Sequence, residues 1–312
     1  MATADPTSDS LHPGDGSTII IPRPATTPVK VWLEFAGHTH VGKVRPNNED
    51  QFLIARLSKS LVLLATSLPA GQQAAISDPE GYLLLVADGM GGYAGGERAS
   101  AFIVNEAIQY LMKSSKWFFQ LDDPDDDVRL RLLREGLERA DRQLIDAAKR
   151  DPTLTGMGTT MTAVSLIGPD AFLVHVGDSR AYLLRQGRLQ QLTKDHTRAQ
   201  ELVEQGLLHP DDARTHRLRH RLTNVLGGMP GVEGEILKFR LADGDRLLLC
   251  TDGLTEMVRD DRIAELLAQS PDAEDACRVL VEAALNAGGR DNITVVVASC
   301  SMEKAGQTPA RL

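Results

Sequence analysis

Residues 160–192, TMTAVSLIGPDAFLVHVGDSRAYLLRQGRLQQL, contain four short apolar runs separated by tight turns. Each run has the length and the branched and aromatic content of a β-strand. The turns are Gly168-Pro169-Asp170, Gly177-Asp178-Ser179 and Gln186-Gly187. Such short links join antiparallel neighbours, because a parallel crossover needs roughly a dozen residues or more. This stretch therefore predicts a hairpin-rich antiparallel sheet.

The flanking sequence adds further strands and four amphipathic helices. Apolar residues recur at helical spacing, with charges on the opposite face, in Gly96–Lys113, Asp127–Arg150, Asp261–Ala268 and Ala273–Asn286. The other strand-length runs are Val31–Ala36, Asp50–Ala55, Tyr82–Ala87, Gly234–Arg240, Arg246–Cys250 and Ile293–Ser299. Hairpins that accompany paired helices predict an α+β fold, in which helix pairs cover the faces of antiparallel sheets.

Length and charge limit the classes of protein to consider. The chain has 312 residues, enough for one large domain or two ordinary ones. It carries 34 Lys and Arg against 43 Asp and Glu, a formal charge of -9. This sign disfavours nucleic acid and anionic membranes as partners, and it is compatible with bound metal ions. We expect neither a nucleic-acid nor a membrane partner, and we expect a monomer.

Cysteine content and the chain ends indicate the compartment and the domain bounds. Three widely spaced cysteines, without a Cys-x-x-Cys pair, argue against a disulfide framework or a structural zinc site. No apolar run approaches the roughly 18 residues of a membrane span, and no signal peptide is visible. We expect a cytoplasmic protein with a flexible tail at residues 1–29, a folded domain at 30–300 and a second tail at 301–312.

Two segments are open to more than one interpretation. Residues 57–81 are longer than a hairpin connection requires, so they form either a surface excursion or an additional apolar hairpin. The acidic run at residues 122–127 could bind a cation. Acidic residues are also typical of a helix start, where they face the positive end of the helix dipole.

Five aspartates lie where predicted strands begin or end. Asp88, Asp178 and Asp252 follow apolar strands, Asp50 opens one, and Asp291 precedes another. A carboxylate at a buried strand end is costly unless it is paired or bound to a metal. A single Asp-Gly is commonly a turn, but five aspartates in matching settings indicate a cluster. A shell of carboxylate, carbonyl and water oxygens suits Mg²⁺ or Mn²⁺.

The chain resembles the metal-dependent serine/threonine phosphatases of the PPM group, also called protein phosphatase 2C-like, in their compact bacterial form. The matching segments lie in family order between Gly37 and Ala298: GHTHVGKVRPNNED, LLVADGMGGYAGGERAS, GMGTTMTAV, HVGDSRAYLLRQGRLQQLTKDHT, LTNVLGG, LLLCTDGLTEMV and GGRDNITVVVA. TDG or GDSR alone would not be specific, whereas the whole set is. The resemblance implies a four-layer α/β/β/α sandwich of two antiparallel sheets flanked by helix pairs.

The resemblance also implies the residues of a two-metal centre. Asp88 looks like the carboxylate that bridges both metal ions, with the Gly89 carbonyl as a further ligand. Asp252 and Asp291 look like ligands of the second metal.

Four further residues receive roles in the same way. Asp50 and Glu49 look like ligands of the first metal that act mostly through bound water. Asp178 looks like a ligand of a third, weaker metal. Arg45 looks like the clamp for the substrate phosphate, because its planar guanidinium matches phosphate oxygens in pairs.

The implied function is hydrolysis of phosphoserine and phosphothreonine in proteins, by a water activated between two Mn²⁺ or Mg²⁺ ions. The partners would be phosphorylated proteins and a bacterial Ser/Thr kinase that the enzyme opposes. One alternative is a pseudophosphatase that binds phosphoproteins, although Asp88, Asp252 and Asp291 are all present. The other is a different metal-dependent phosphate hydrolase, but the aspartyl-nucleophile class needs an Asp-x-Asp that neither Asp88 nor Asp252 provides.

No residue is assigned to protonate the leaving group. Met90 stands where many eukaryotic members carry a histidine, so the acid is either water or a residue such as His196. Asp195-His196-Thr197 is also typical of a turn, and His175 is interpreted as a core histidine. Residues 198–221 resemble the family's flap beside the metal site. Their arginines and histidines either receive acidic phosphopeptides or form an ordinary solvated helical surface.

Overall fold

The computed structural model describes residues 30–58, 81–91, 95–113, 126–151, 154–228 and 231–303. The predicted N-terminal tail, nearly all of the 57–81 segment, most of the acidic run and residues 304–312 lie outside these ranges. Asp126 and Asp127, the described part of the acidic run, occupy the first turn of a helix. This placement agrees with the helix-start interpretation.

The named strands of the described residues pair antiparallel, as the short connections predict. They are β1 Lys30–His40, β2 Asp50–Leu57, β3 Gly81–Met90, β4 Gly158–Thr159, β5 Met161–Ile167, β6 Asp170–Val176, β7 Arg180–Arg185, β8 Arg188–Gln191, β9 Glu235–Arg240, β10 Arg246–Cys250 and β11 Ile293–Glu303. The first sheet has the order β1-β11-β10-β7-β8. The second has the order β2-β3-β5-β6-β9, with β4 paired to β3.

The described residues form four long helices and three short ones. They are α1 Gly95–Lys113, α2 Asp126–Arg150, α3 Arg198–Glu204, α4 Pro210–Ala213, α5 Asp252–Thr255, α6 Asp260–Gln269 and α7 Ala273–Asn286. The helices predicted from apolar spacing are α1, α2, α6 and α7, and each agrees with its predicted bounds to within one residue. None of the helices in the described ranges is both long and apolar enough to span a bilayer.

Alternation of side chains along the strands divides the core into layers. Leu84 of β3 and Leu247 of β10 are both buried between the two sheets. The next residue on β3, Leu83, instead faces α1 and α2, and Leu248 of β10 faces α6 and α7. Each fully buried leucine contributes about 1.5–3 kcal/mol of transfer free energy. The predicted four-layer α/β/β/α sandwich is confirmed.

Three strands continue past the apolar runs that predict them. β1 extends beyond Ala36 to His40 because its last residues pair with β11, and β11 extends to Glu303, which pairs with Lys30. β3 extends to Met90 because it pairs with β4 as well as β2. Asp88 therefore lies within a strand and not after it. Backbone pairing continues where side-chain hydrophobicity stops, so composition alone places these ends too early.

The cysteines behave as expected for a chain without a disulfide framework. Cys250, Cys277 and Cys300 are free thiols, and all three are buried.

Candidate metal centre

The structure gathers the predicted carboxylates where the two sheets meet. Asp50 and Asp88 are direct partners across β2 and β3 of the second sheet. Asp252 opens α5 just after β10, and Asp291 precedes β11. Both of these strands belong to the first sheet. Asp178 lies in the turn from β6 to β7, where the chain passes from one sheet to the other. Five residues that are far apart in sequence thus reach one edge of the sandwich.

A cavity of about 520 Å³ opens over this cluster. Its lining includes most of the predicted site residues, namely Arg45, Glu49, Asp88, Gly89, Asp178, Asp252 and Asp291. Asp50 is only 2% exposed and lies beneath the cavity. The cavity has a carboxylate-rich floor and an arginine at its rim.

Asp50 is held by the opposite sheet. The Thr251 hydroxyl donates to Asp50 Oδ2 at 2.7 Å, and the same hydroxyl accepts from the backbone N–H of Thr294 at 3.0 Å. Asp50 Oδ1 is buried without a hydrogen-bond partner. Burial raises the pKa of Asp50 to about 7, and the nearby negative charges of Asp291 and Glu49 act in the same direction. A proton or a cation is therefore needed to satisfy this carboxyl group.

Asp88 is fixed through its backbone. Its N–H donates to Thr160 Oγ1 at 2.9 Å, and its carbonyl accepts from the Thr159 hydroxyl at 2.8 Å. Burial raises the pKa of Asp88 well above its ordinary value, and the charges of Asp50 and Asp252 raise it further. The side chain is thus held close to other carboxylates by a rigid main chain.

Asp252 shows the same unmet demand for positive charge. Its Oδ1 is buried without a hydrogen-bond partner. Burial raises the pKa of Asp252 well above its usual range, followed by the charges of Asp178 and Asp291. Two orphaned oxygens within a cluster of mutually repelling carboxylates are costly in a metal-free protein. Divalent cations with oxygen ligands fit this donor set.

Glycines allow the loops of the cavity to approach one another. A Cβ at Gly89 would overlap the carbonyl oxygen of Gly96, and a Cβ at Gly253 would overlap that of Asn292. The Gly89 N–H also donates to the Glu49 carbonyl at 3.2 Å. Side chains at either glycine would push apart the segments that carry the carboxylates.

Arg45 is joined to a predicted metal ligand. Its Nη2 donates to Asp291 Oδ2 at 2.6 Å, while about half of the arginine side chain stays exposed. This hydrogen bond is the main reason why the pKa of Arg45 is raised. The guanidinium lies at the cavity rim, where it can reach an entering anion and at the same time neutralise one carboxylate.

Asp178 lines the cavity next to an internal ion pair. Burial raises the pKa of Asp178 to about 7, and the charge of Asp195 raises it further. Asp195 is in turn held by Arg180, whose Nε and Nη2 donate to its two oxygens at 2.8 and 2.6 Å. Because Asp195 is committed to Arg180, it is not free to serve the cluster.

Asn292 organises the site, and sequence reasoning did not assign it a role. Its Oδ1 accepts from the Glu49 N–H at 2.8 Å, and its Nδ2 donates to the carbonyls of Val41 and Asn47, both at 2.9 Å. It therefore ties the loop before β11 to the loop before β2. The available signal was its position, since a polar residue between Asp291 and an apolar strand is expected to be buried.

The flap predicted at 198–221 contains α3 and α4, and its last part reaches the cavity. Arg219 and His220 line the cavity, and His220 Nδ1 lies 2.9 Å from Glu256 Oε1. Arg198 pairs with Glu201 on the same helix. Within this segment, Arg219 and His220 are the residues that line this cavity.

The two other histidines singled out from the sequence do not line the cavity. His175 is fully buried, as predicted for a core histidine, and both of its ring nitrogens have partners in Thr162 and Lys194. His196 Nδ1 lies 3.1 Å from the Gly177 N–H, which donates to it. Met90 does line the cavity and has no proton to give.

An antiparallel α/β/β/α sandwich with a carboxylate cluster where its sheets meet defines the class of protein in structural terms. A family model described as Protein phosphatase 2C matches residues 72–287. Serine/threonine protein phosphatase PstP of Mycobacterium tuberculosis is 38% identical over 281 residues, 90% of this chain and 47% of PstP. Protein phosphatase PhpP of Streptococcus pneumoniae is 31% identical over 275 residues, 88% of this chain and 100% of PhpP. The chain belongs to the protein phosphatase 2C family.

Solved structures agree with this assignment. The catalytic domain of PstP in complex with 2 manganese ions is 34% identical, with a TM-score of 0.67, over 87% of this chain and 100% of that one. The serine/threonine phosphatase of S. agalactiae is 30% identical, with a TM-score of 0.71, and the match covers 86% of this chain and 99% of that one. The chain spans about half the length of PstP, 47% by the sequence match.

Proposed function

We propose that this protein is a metal-dependent phosphatase that removes phosphate from phosphoserine and phosphothreonine in proteins. The observation that carries the proposal is the carboxylate cluster, in which Asp50 Oδ1 and Asp252 Oδ1 are buried without partners. The names of PstP and PhpP, both described as protein phosphatases, support it.

The proposed ligand set is the one that the resemblance implies, and the gathered carboxylates support it. Asp88, with the Gly89 carbonyl as a further ligand, would serve both ions, and Asp252 with Asp291 would hold the second. Asp50 and Glu49 would complete the other position, mostly through water. The proposed ions are Mn²⁺ or Mg²⁺, as in the manganese complex of PstP. When bound, they would lower the pKa of a water and offset charge on the phosphoryl group.

A third ion is proposed beside Asp178, and it would be the weakest of the three. Burial and the facing charge of Asp195 both raise the pKa of Asp178. A cation there would remove this repulsion. The cost of desolvating Asp178 makes protons compete with the cation for the carboxylate.

The chain's own residues would orient the substrate. Arg45 would release Asp291 to the metal site and bind two phosphate oxygens with its planar fork. Asn292 and Thr251 would keep the ligand loops in place through their hydrogen bonds. Since Met90 cannot donate a proton and His196 lies outside the cavity lining, the proposed acid for the leaving oxygen is water or His220, the histidine that lines the cavity.

Phosphorylated proteins and a bacterial Ser/Thr kinase that this enzyme opposes are the proposed partners. We further propose that the protein acts as a cytoplasmic monomer with the domain bounds 30–300 given above. The pseudophosphatase alternative is not favoured by any described residue, because no carboxylate of the cluster is missing.

The test is hydrolysis of phosphothreonine and phosphoserine peptides with Mn²⁺ and after exhaustive chelation. Asp88→Asn should abolish turnover. Asp146→Asn is the matched control, since this exposed aspartate of α2 pairs only with Lys149. Undiminished turnover after chelation would contradict the two-metal mechanism, and stable binding of phosphopeptides without hydrolysis would favour the pseudophosphatase.

A further inference from the structure

A second cavity adjoins the carboxylate cavity and is larger, about 910 Å³. It lies between the segment that contains α3 and α4 and the beginning of α5 and α6. The two cavities share five lining residues: Asp178, Arg219, Asp252, Glu256 and Arg290. A peptide whose phosphorylated residue enters the first cavity can therefore extend its neighbouring residues into the second.

Most arginines that line either cavity are already paired with carboxylates. The pairs, with their shortest N–O distances, are Arg45–Asp291 at 2.6 Å, Arg180–Asp195 at 2.6 Å, Arg214–Asp260 at 3.6 Å, Arg219–Glu256 at 3.5 Å and Arg259–Asp261 at 3.5 Å. Each of these guanidinium groups faces a carboxylate, which an anionic ligand would have to displace, as the substrate phosphate would at Arg45.

Arg290 differs from this set. It is exposed, and it makes neither an ion pair nor a side-chain hydrogen bond with any of the described residues. The neighbouring Asp291 does not neutralise it, because that carboxylate is bonded to Arg45. Arg290 is therefore a positive charge at the boundary between the two cavities that no described residue pairs with.

The backbone on both sides of Arg290 is anchored, which fixes the point where its side chain leaves the loop. The Gly289 carbonyl accepts from the Lys43 N–H at 2.7 Å, and Asn292 fixes the other side of the loop. A Cβ added to Gly288 would lie 3.8 Å from Arg290 Cγ and 3.7 Å from Met257 Sδ. The arginine stem thus crosses the bare backbone of Gly288 towards Met257, which lines the second cavity.

We propose that Arg290 determines substrate specificity by binding a second anionic group, a phosphoryl group or a carboxylate, that lies near the scissile phosphate in the peptide. This inference rests on the proposed function and adds a substrate class to it, acidic or multiply phosphorylated segments. A guanidinium suits the role because its planar fork bonds two oxygens of a phosphate or carboxylate. The overall charge of -9 does not attract such peptides, so a cationic side chain at the site has to bind the second anion.

The experiment compares three phosphothreonine peptides of one sequence with Mn²⁺. One has neutral neighbours, one has glutamate and one has a second phosphothreonine, each placed in turn at successive positions on both sides. Wild type, Arg290→Gln, Arg290→Lys and Arg188→Gln are assayed. Arg188 is the matched control, an exposed arginine on β8 that lines neither cavity and loses the same charge.

We expect the wild type to prefer at least one charged peptide over the neutral one by about five- to tenfold in kcat/KM, mostly through KM. Arg290→Gln should lower kcat/KM for that peptide about five- to tenfold more than for the neutral peptide. Arg290→Lys should keep part of the preference, Arg188→Gln should keep all of it, and added salt should weaken it. Comparison of the glutamate and diphosphorylated peptides shows whether Arg290 binds a carboxylate or a phosphoryl group.

Two results would overturn the inference. If Arg290→Gln lowers turnover of the neutral peptide and of a small aryl phosphate as much as that of the charged peptide, Arg290 serves the scissile phosphate itself. If the preference is absent, or survives in Arg290→Gln, Arg290 does not read a second anion. Should wild type hydrolyse none of the peptides, the proposed function fails. Fluorescence anisotropy of the same peptides then tests Arg290 by comparing their affinities for wild type and Arg290→Gln.

Discussion

The Thr251 hydroxyl donates a hydrogen bond to Asp50 Oδ2 at 2.7 Å, and this bond joins the two sheets beneath the carboxylate cavity. Thr251 follows β10 of the first sheet, whereas Asp50 opens β2 of the second. The bond satisfies one oxygen of Asp50 and leaves the other buried without a partner. The sandwich is therefore closed at this edge by a carboxyl group that still needs a cation or a proton.

Asp88→Asn should abolish phosphatase activity without unfolding the protein. Burial, and after it the charges of Asp50 and Asp252, raise the pKa of Asp88, so removal of its charge relieves a desolvation cost and repulsion in the metal-free state. We expect an equal or higher melting temperature without metal. Excess Mn²⁺, which at 100 times its Kd stabilises a protein by about 2.7 kcal/mol, should stabilise the variant much less.

Thermal melts with and without Mn²⁺ test this expectation for Asp88→Asn and Asp252→Asn beside the exposed control Asp146→Asn. The control should keep both its metal-free stability and its full shift with metal. If the cluster variants lose stability without metal and keep the full shift, Asp88 and Asp252 have a structural role only and the proposed centre is wrong.

Arg45→Ala should reduce catalysis without weakening metal binding. Its guanidinium pairs with Asp291 in the metal-free protein, and the proposal transfers Asp291 to the metal site. Loss of the arginine removes a competitor for that carboxylate, so Mn²⁺ affinity should stay equal or rise slightly. Loss of a phosphate donor should lower kcat by about 100-fold. Isothermal titration calorimetry and steady-state kinetics measure the two quantities, and a parallel loss of both would contradict the clamp role.

The fold was largely predictable because it depends on local patterns. Two- and three-residue turns between apolar runs led directly to antiparallel strands. Helical spacing of apolar residues located α1, α2, α6 and α7 to within one residue at each end. Strand ends were less accessible, since pairing of β3 with β4 carries the strand past Asp88, and no side-chain pattern marks such pairing.

The carboxylates of the site were also predictable, whereas the residues that hold them were not. A charged residue at the end of an apolar run is conspicuous, because burial would be costly without a partner. Thr251 and Asn292 carry no charge, and their roles depend on contacts with Asp50 and Asn47, which lie about 200 or more residues away in the chain. Contacts of this range arise only from the three-dimensional fold.

Asn292→Ala should destabilise the protein and lower its activity together. The substitution leaves the Glu49 N–H and the carbonyls of Val41 and Asn47 without partners at a partly buried position. The cost should be about 2–3 kcal/mol, since each unsatisfied buried group costs about 1–3 kcal/mol and water will reach part of the gap. Urea unfolding of the metal-free protein measures it.

Asn105→Ala is the control for this loss, because Asn105 is exposed on α1 and donates only to the carbonyl of its own helix at Ala101. It should change the free energy of unfolding by less than about 0.5 kcal/mol. Equal effects of the two substitutions would show that Asn292 does not join the loops of the metal cavity.

His175 should make the protein less stable in mild acid. Its Nε2 donates to the Lys194 carbonyl at 3.0 Å, and its Nδ1 lies 2.9 Å from the Thr162 hydroxyl oxygen. The pKa of His175 is lowered from 6.5 to about 4, mainly by burial and also by the nearby His196, against the opposing charge of Asp195. As the pH falls below 6.5, the unfolded chain binds a proton that the native state refuses. Stability is therefore lost between about pH 6.5 and pH 4.

The loss should be about 2 kcal/mol between pH 7 and pH 5, and about 3 kcal/mol once the pH reaches 4. Urea unfolding with chelator at pH 7 and pH 5 should show this loss in wild type. In His175→Gln the loss of stability between these pH values should be smaller by about 2 kcal/mol. Because the carboxylates titrate in both proteins, the difference between their pH dependences isolates His175, whatever the substitution costs at pH 7. An identical pH dependence in the two proteins would mean that His175 takes up its proton in the native state as readily as in the unfolded chain.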